Sequence, residues 1–171
     1  EVVSIVGCDD ERDVDSLDPM TLCQWANSYA KAGHKDEELF LAISAAAIPM
    51  LGRFDSRHFS NLAYAFALAG HTSTKGGCGS SSPSSPSSPS SSLFDEIAAS
   101  VIHQIPTFSS QHMANTLWAY AKVNHASPGL FDAIAREAIP RMREFSEQQL
   151  ANVAWAFSKF HPPTTSNSVF D

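Results

Sequence analysis

Apolar residues recur at every third or fourth position in short blocks along the chain, with polar and helix-ending residues between them. This spacing predicts amphipathic helices rather than strands. The blocks are themselves repeated. The run FSSQHMANTLWAYAK, which starts at Phe108, matches FSEQQLANVAWAFSK, which starts at Phe145, at a step of 37 residues, and Leu17-Asp18-Pro19 matches Phe54-Asp55-Ser56 at the same step. From Phe54 to Phe108 the step is 54, and the extra 17 residues fall between His71 and Leu93. Such a period predicts a repeat architecture, here full units over 17–53, 54–107 and 108–144 and a partial unit over 145–171.

Each unit reads as two helices, because the boundary chemistry repeats with the period. Asp18, Asp55, Ser109 and Ser146 precede the first helices, where a side-chain oxygen can accept from the unpaired amides of the first turn, and Pro19 is a favoured opening residue. The apolar residue before each cap and the one four past it make the staple pairs Leu17/Leu22, Phe54/Phe59, Phe108/Met113 and Phe145/Leu150. The first helices stop at Gly33, Gly70 and Asn124, which tolerate left-handed backbone, and in the last unit at His161 before Pro162 and Pro163. Second helices open near Asp36, Ser92 and Ser127-Pro128, and they end or kink around Pro49, Pro106 and Pro140. No such hairpin buries its apolar face alone, so the expected fold is all-α: an α-solenoid of stacked two-helix repeats with a period of about 37 residues.

Two stretches fall outside this pattern. Residues 72–92 are almost entirely Ser, Pro and Gly, an expected disordered insertion in the second unit that is either a tolerated loop or a phosphorylated Ser-Pro segment. Residues 1–16 read as an acidic linker or the end of a preceding repeat. The sequence opens on Glu1 and breaks off at Val169-Phe170-Asp171, where a second helix is due, so it reads as a piece of a longer chain.

Placed on a helical wheel, the first helix of each unit has two faces. One is the expected core: Leu22, Trp25, Ala26 and Tyr29, then Phe59, Leu62, Ala63 and Phe66, with Met113, Thr116, Leu117 and Tyr120 and finally Leu150, Val153, Ala154 and Phe157. The other carries Gln24, Asn27 and Lys31; Arg57, Asn61, Tyr64 and Leu68; Gln111, Asn115, Trp118 and Lys122; Gln148, Asn152, Trp155 and Lys159. Amide, aromatic ring and cation on one line are the parts needed to read single-stranded RNA, by pairing a base edge, stacking a base and meeting a phosphate. The candidate contacts are Gln24, Asn61, Asn115 and Asn152, with Trp118 and Trp155 for stacking and Lys31, Lys122 and Lys159 for phosphate. A packing alternative stands beside each of the first two groups. The tryptophans can fill the gap to a neighbouring helix. The asparagines, poor helix formers at three of four equivalent positions, can form a hydrogen-bond ladder between repeats.

Composition changes the picture in a few respects only. With 43% hydrophobic and 17% charged residues, the chain can build a core. The net charge of −7 is concentrated in residues 1–18, which hold seven carboxylates against Arg12, so the remainder is nearly neutral and lacks a basic excess. The longest apolar stretch, 39–51, is too short to span a membrane. Cys8, Cys23 and Cys78 are too scattered for a disulfide framework or a zinc site, and His34, His71 and His125, one per hairpin turn, are expected to serve as turn or cap residues rather than metal ligands. His58 and His112 have no Ser or Cys partner nearby in sequence, and no nucleophile elbow, phosphate loop or carboxylate pair is present. The expectation is a non-enzyme with no catalytic residues, no metal, no cofactor and no small-molecule substrate.

The aligned units, FSSQHMANTLWAYAKVNHASPGLFDAIAREAIPRM above all, resemble octotricopeptide-type helical repeats, with relatives in FAST-kinase-like proteins and in the repeat domains of RNA-editing substrate-binding complexes. The resemblance covers about 17–171 apart from the serine-rich insertion. It implies binding of single-stranded organellar RNA, with other ribonucleoprotein components as partners and no membrane, in transcript processing, stability or translation. The implied location is the mitochondrial matrix or, alternatively, the chloroplast. No RAP-type or terminal FAST-type domain is visible in the sequence, so no nuclease-like activity is implied. The competing expectation is a protein-protein interaction scaffold, which stacked helical pairs serve equally well.

Overall fold

The computed structural model describes residues 18–70 and 89–160. They form seven α-helices: α1 (Pro19–Lys31), α2 (Glu37–Ala47), α3 (Ser56–Ala69), α4 (Pro89–Ile102), α5 (Ser110–Val123), α6 (Pro128–Ala138) and α7 (Glu147–Phe160). Short 3₁₀ segments at Ile48–Arg53, Ile105–Thr107 and Ile139–Glu144 follow α2, α4 and α6, and no strand occurs among the described residues. The acidic segment 1–16, most of the 72–92 insertion and residues 161–171 lie outside the described residues.

Helices of the same kind pack side by side. In one layer α1 lies on α3, α3 on α5 and α5 on α7, and in the other α4 lies between α2 and α6. The Cys23 thiol meets the His58 carbonyl and the Asn27 amide meets the Asn61 carbonyl, so partners advance together and α1 and α3 run parallel. The layers are joined by one recurring contact, an edge-on aromatic pair. Phe40 meets Phe66 at 5.1 Å, Phe94 meets Tyr120 at 5.0 Å and Phe131 meets Phe157 at 5.4 Å between ring centroids. Such a pair contributes about 0.5–1.5 kcal/mol beyond its buried area. At the middle pair the buried Tyr120 hydroxyl also donates to the Phe94 carbonyl at 2.7 Å, and burial holds its pKa well above the ordinary tyrosine value.

The boundaries follow the sequence with two corrections. Gly33 and Gly70 have φ of 77° and 78° and Asn124 has 59°, the left-handed conformation that ends a helix. Asp55 accepts from the amides of Arg57 and His58, and Ser109 and Ser146 accept from those of His112 and Gln149. The Asp18 side chain, expected to cap α1, accepts no amide, and the opening there is carried by Pro19, whose missing N–H removes one of the donors a cap would serve. Helix α4 begins at Pro89, inside the stretch read as insertion, because a proline suits the first helical position as well as it suits a loop.

After α2 and α6 the helix tightens to 3₁₀ at an Ile-Pro pair, and α4 turns over to the same pair after Ile102. Each 3₁₀ segment closes when the amide of Phe54, Phe108 or Phe145 bonds to the carbonyl three residues back, at 3.1, 2.9 and 3.3 Å. That turn delivers a buried phenylalanine to the start of the next helix. The Arg141 guanidinium ties the last turn down, donating to Glu137, to Glu144 and to the Phe108 carbonyl just before α5. No helix among the described residues is long and apolar enough to cross a membrane.

The last helix departs from its expected core face. Leu150, Val153 and Phe157 are half-buried and Ala154 is exposed, whereas Met113, Thr116, Leu117 and Tyr120 of α5 are fully covered. The residue types are alike, but α7 has a helix of its own layer on one side only among the described residues.

Candidate functional site

The face of the first layer turned away from α2, α4 and α6 is a groove of about 830 Å³. Because α1, α3, α5 and α7 carry the same pattern, each contributes at equivalent positions. Gln24, Asn61, Asn115 and Asn152 form one row of the lining, and Met20, Arg57, Gln111 and Gln148 form a second row one turn nearer the helix starts. Lys31, Asn27, Ser28 and Tyr64 complete the far wall over α1 and α3, and Cys23 and His58 lie at the seam between those helices. Among the described residues no carboxylate lines the groove.

The amides of the central row are unpartnered but for that of Asn152. Among the described residues the side chains of Gln24, Asn61, Asn115 and Gln111 have no hydrogen-bonding partner. Asn152 accepts only from Gln148 on its own helix, at 3.3 Å. A ladder between repeats is thus absent from this row. The amide that does bridge helices is Asn27, one turn further on, which donates to the Cys23 carbonyl at 3.0 Å and to the Asn61 carbonyl at 3.4 Å.

The aromatic positions are placed differently. Trp118 is half-buried and lies against Tyr64 of α3, with ring centroids 5.1 Å apart and an angle of 34°, so its ring fills the space between helices. Trp155 on α7 is 42% exposed, with the Lys159 ammonium 5.5 Å from its ring centroid. Neither tryptophan lines the groove. Of the lysines, Lys31 lines it, and Lys122 is exposed at the end of α5 outside it. Lys159 is committed elsewhere, its ammonium donating to the Ala121 carbonyl at 2.6 Å.

Two histidines, one of them the groove-lining His58, serve as structural devices that the sequence reading missed. In α3 the Asp55 amide donates to His58 Nδ1 at 3.1 Å, and in α5 the Ser109 amide donates to His112 Nδ1 at 3.4 Å, completing reciprocal capping boxes. The signal was present as Asp or Ser followed three residues later by His, where the usual partner is Glu or Gln. Burial holds the His112 pKa below the ordinary histidine value, with the Arg57 charge adding to it. At Asp55 burial works the other way, yet the hydrogen bonds and charge of His58 and Arg57 leave its carboxyl below the usual carboxylate value. His34 packs edge-on against Tyr29, and His125 bonds Asp95 at 2.9 Å while lying against Phe94 and Tyr120. His71 lies outside the described residues. Among the described residues no group of three His, Cys, Asp or Glu side chains is placed to hold a metal.

Charge divides between the layers. Helices α1, α3, α5 and α7 carry Lys31, Arg57, Lys122 and Lys159 against Glu147, whereas α2, α4 and α6 carry Glu37, Glu38, Asp95, Glu96, Asp132 and Glu137 against Arg136. No known protein family and no curated protein matches the sequence.

Proposed function

We propose that the chain is a run of stacked two-helix units, an α-solenoid with a period of about 37 residues, that binds single-stranded RNA along this groove. The observation that carries the reading is the central row of amides: four helices present Gln24, Asn61, Asn115 and Asn152 to one groove that no carboxylate lines among the described residues. An amide left free in this way has the donor and acceptor needed to pair a base edge. Lys31 and Arg57, which line it, serve as the phosphate contacts in this reading, Arg57 while also bonding Asp55 at 3.3 Å, and Trp118 supports the wall rather than stacking a base. The recurrence of helix starts at Pro19 and Ser56, and at Ser110 and Glu147, supports the repeat reading. The resemblance to octotricopeptide-type repeats points to organellar transcripts, in the mitochondrial matrix or the chloroplast, and to processing, stability or translation of those transcripts.

The test is fluorescence anisotropy with a labelled random single-stranded RNA pool over a salt series. Asn115→Ala should weaken binding to the selected RNA and leave the melting temperature unchanged. Lys31→Ala should weaken all RNAs alike and lower the salt slope by about 0.7, the contribution of one phosphate contact on a single strand. Absence of any salt-dependent affinity would overturn the reading in favour of a protein-protein interaction scaffold, which the exposed Trp155 and the nearly neutral body favour.

A further inference from the structure

We infer, resting on the RNA reading above, that the α5–α7 half of the groove is specific for adenine, each helix holding one adenine with two amides. The lining changes character from helix to helix. On α1 the amide of Gln24 stands one turn from Met20, and on α3 that of Asn61 stands one turn from Arg57, so each offers a single amide in these two rows. Lys31 and Arg57 both lie in this half. Among the described residues, α5 and α7 line the groove with four amides and nothing else, Gln111 with Asn115 and Gln148 with Asn152. The glutamines are exposed and the asparagines half-buried, so each pair stands at the groove surface.

Residues four apart on a helix have Cβ atoms about 5–6 Å apart, so both amides of a pair reach one base. In α7 they already meet, Gln148 Nε2 donating to Asn152 Oδ1 at 3.3 Å, a long bond that a base edge can replace. The α5 pair has no such bond to give up. An amide carries one acceptor and two donors, and it pairs bidentately with an edge that offers a donor beside an acceptor. Two amides on one base need that combination twice. Adenine supplies it, because its N6 amino group has two hydrogens and stands between the acceptors N1 and N7. Each amide oxygen takes one hydrogen while its N–H donates to the adjacent ring nitrogen. Cytosine has an acceptor on one side of its amino group only, and uracil has a single N3 hydrogen between its two carbonyls. Guanine's second such edge, N2–H beside N3, lies against its own ribose. The groove thus meets phosphates over α1 and α3 and reads two successive adenines over α5 and α7.

Fluorescence anisotropy of the full chain with labelled oligo(A), oligo(C), oligo(U) and an alternating U/G strand of equal length should show oligo(A) bound tightest, by about tenfold or more. Gln111→Leu and Gln148→Leu each remove one amide from one pair and place a good helix former at an exposed site, so far-UV circular dichroism should be unchanged. Each should reduce the preference for oligo(A) over oligo(U) by about fivefold or more. Lys31→Ala, in contrast, should weaken every strand by the same factor and keep the preference. Oligo(7-deazaadenosine), which retains the amino group and lacks the N7 acceptor, should lose affinity for the wild-type chain as the variants do for oligo(A). Salt-dependent binding with no preference for oligo(A), or a preference that neither glutamine variant nor the deaza strand changes, would overturn the inference and leave the RNA reading standing. Absence of affinity for every strand would overturn both.

Discussion

Helix α5 and helix α7 are near-copies in sequence and differ in what surrounds them. Both open on a serine cap, both place an aromatic residue against the second layer, and both carry a lysine one residue before their end. Yet α5 buries its residues between two parallel neighbours, and α7 fully buries only Ala156. Where helices pack side by side in a layer, the burial of a residue is thus set by the helix beside it as much as by its own. A helical wheel ranks faces and cannot say whether a face has a partner.

The sharpest test uses the interlayer aromatic position. Phe66 and Phe157 occupy the same place in their units and make the same edge-on contact, but Phe66 is fully buried and Phe157 only half-buried. Phe66→Ala should cost about 3–5 kcal/mol and Phe157→Ala roughly half of that or less, read from urea denaturation. Equal losses would break the comparison, and would mean that α7 is covered as completely as α3.

Much of this was legible beforehand, for a physical reason. Turn chemistry is local: glycine at Gly33 and Gly70, asparagine at Asn124 and the Ile-Pro pairs act on the backbone beside them, so the hairpin boundaries follow from short strings. The stripe of amides was legible because one face of a helix is a fixed periodicity. What each stripe residue touches was not, since that depends on the offset between helices. This offset sends Asn27 rather than Asn61 across to a neighbouring carbonyl, lays Trp118 on Tyr64, and draws Lys159 onto Ala121. The Pro89 start of α4 escaped for the opposite reason, because in a serine- and proline-rich run the local signals for loop and helix start coincide.

A second test works at the α1–α3 seam, where α7 has no counterpart. The Cys23 thiol is buried there, and burial, aided by the charges of Asp55 and Asp18, pushes its pKa up to about 12 from 9.0. The folded state therefore holds the proton that the unfolded chain releases. Stability is complete below about pH 9 and falls as the pH rises toward 12, by at most about 1.4 kcal/mol per unit. Cys23→Ala places there the residue that α5 and α7 carry at the same position, Ala114 and Ala151. The variant should lose less stability than wild type between neutral and alkaline pH, with the remaining loss coming from Tyr120, whose pKa is raised in the same direction. Identical alkaline slopes would show that water reaches the seam.

The smallest effect separates the two kinds of capping box. In α5 the Ser109 amide donates to His112 Nδ1 at 3.4 Å, and in α7 the Ser146 amide donates to Gln149 Oε1 at 3.0 Å. The imidazole accepts only when neutral, and its pKa is lowered by burial, with Asp55 opposing and Arg57 adding to the shift, so protonation is harder in the folded state than in the unfolded chain. The stability this cap supplies is therefore present above the ordinary histidine pKa of about 6.5 and is lost as the pH falls below it. Glutamine accepts the same hydrogen bond without titrating. His112→Gln should match wild type near pH 7 to within about 0.5 kcal/mol, a surface-level change. It should then lose less stability than wild type between about pH 7 and about pH 5, where histidine titrates. Urea midpoints at the two pH values read the effect directly, and parallel acid limbs would mean that the His112 ring supports α5 by packing against Phe108, 6.0 Å away between centroids, rather than by accepting the Ser109 hydrogen bond at Nδ1.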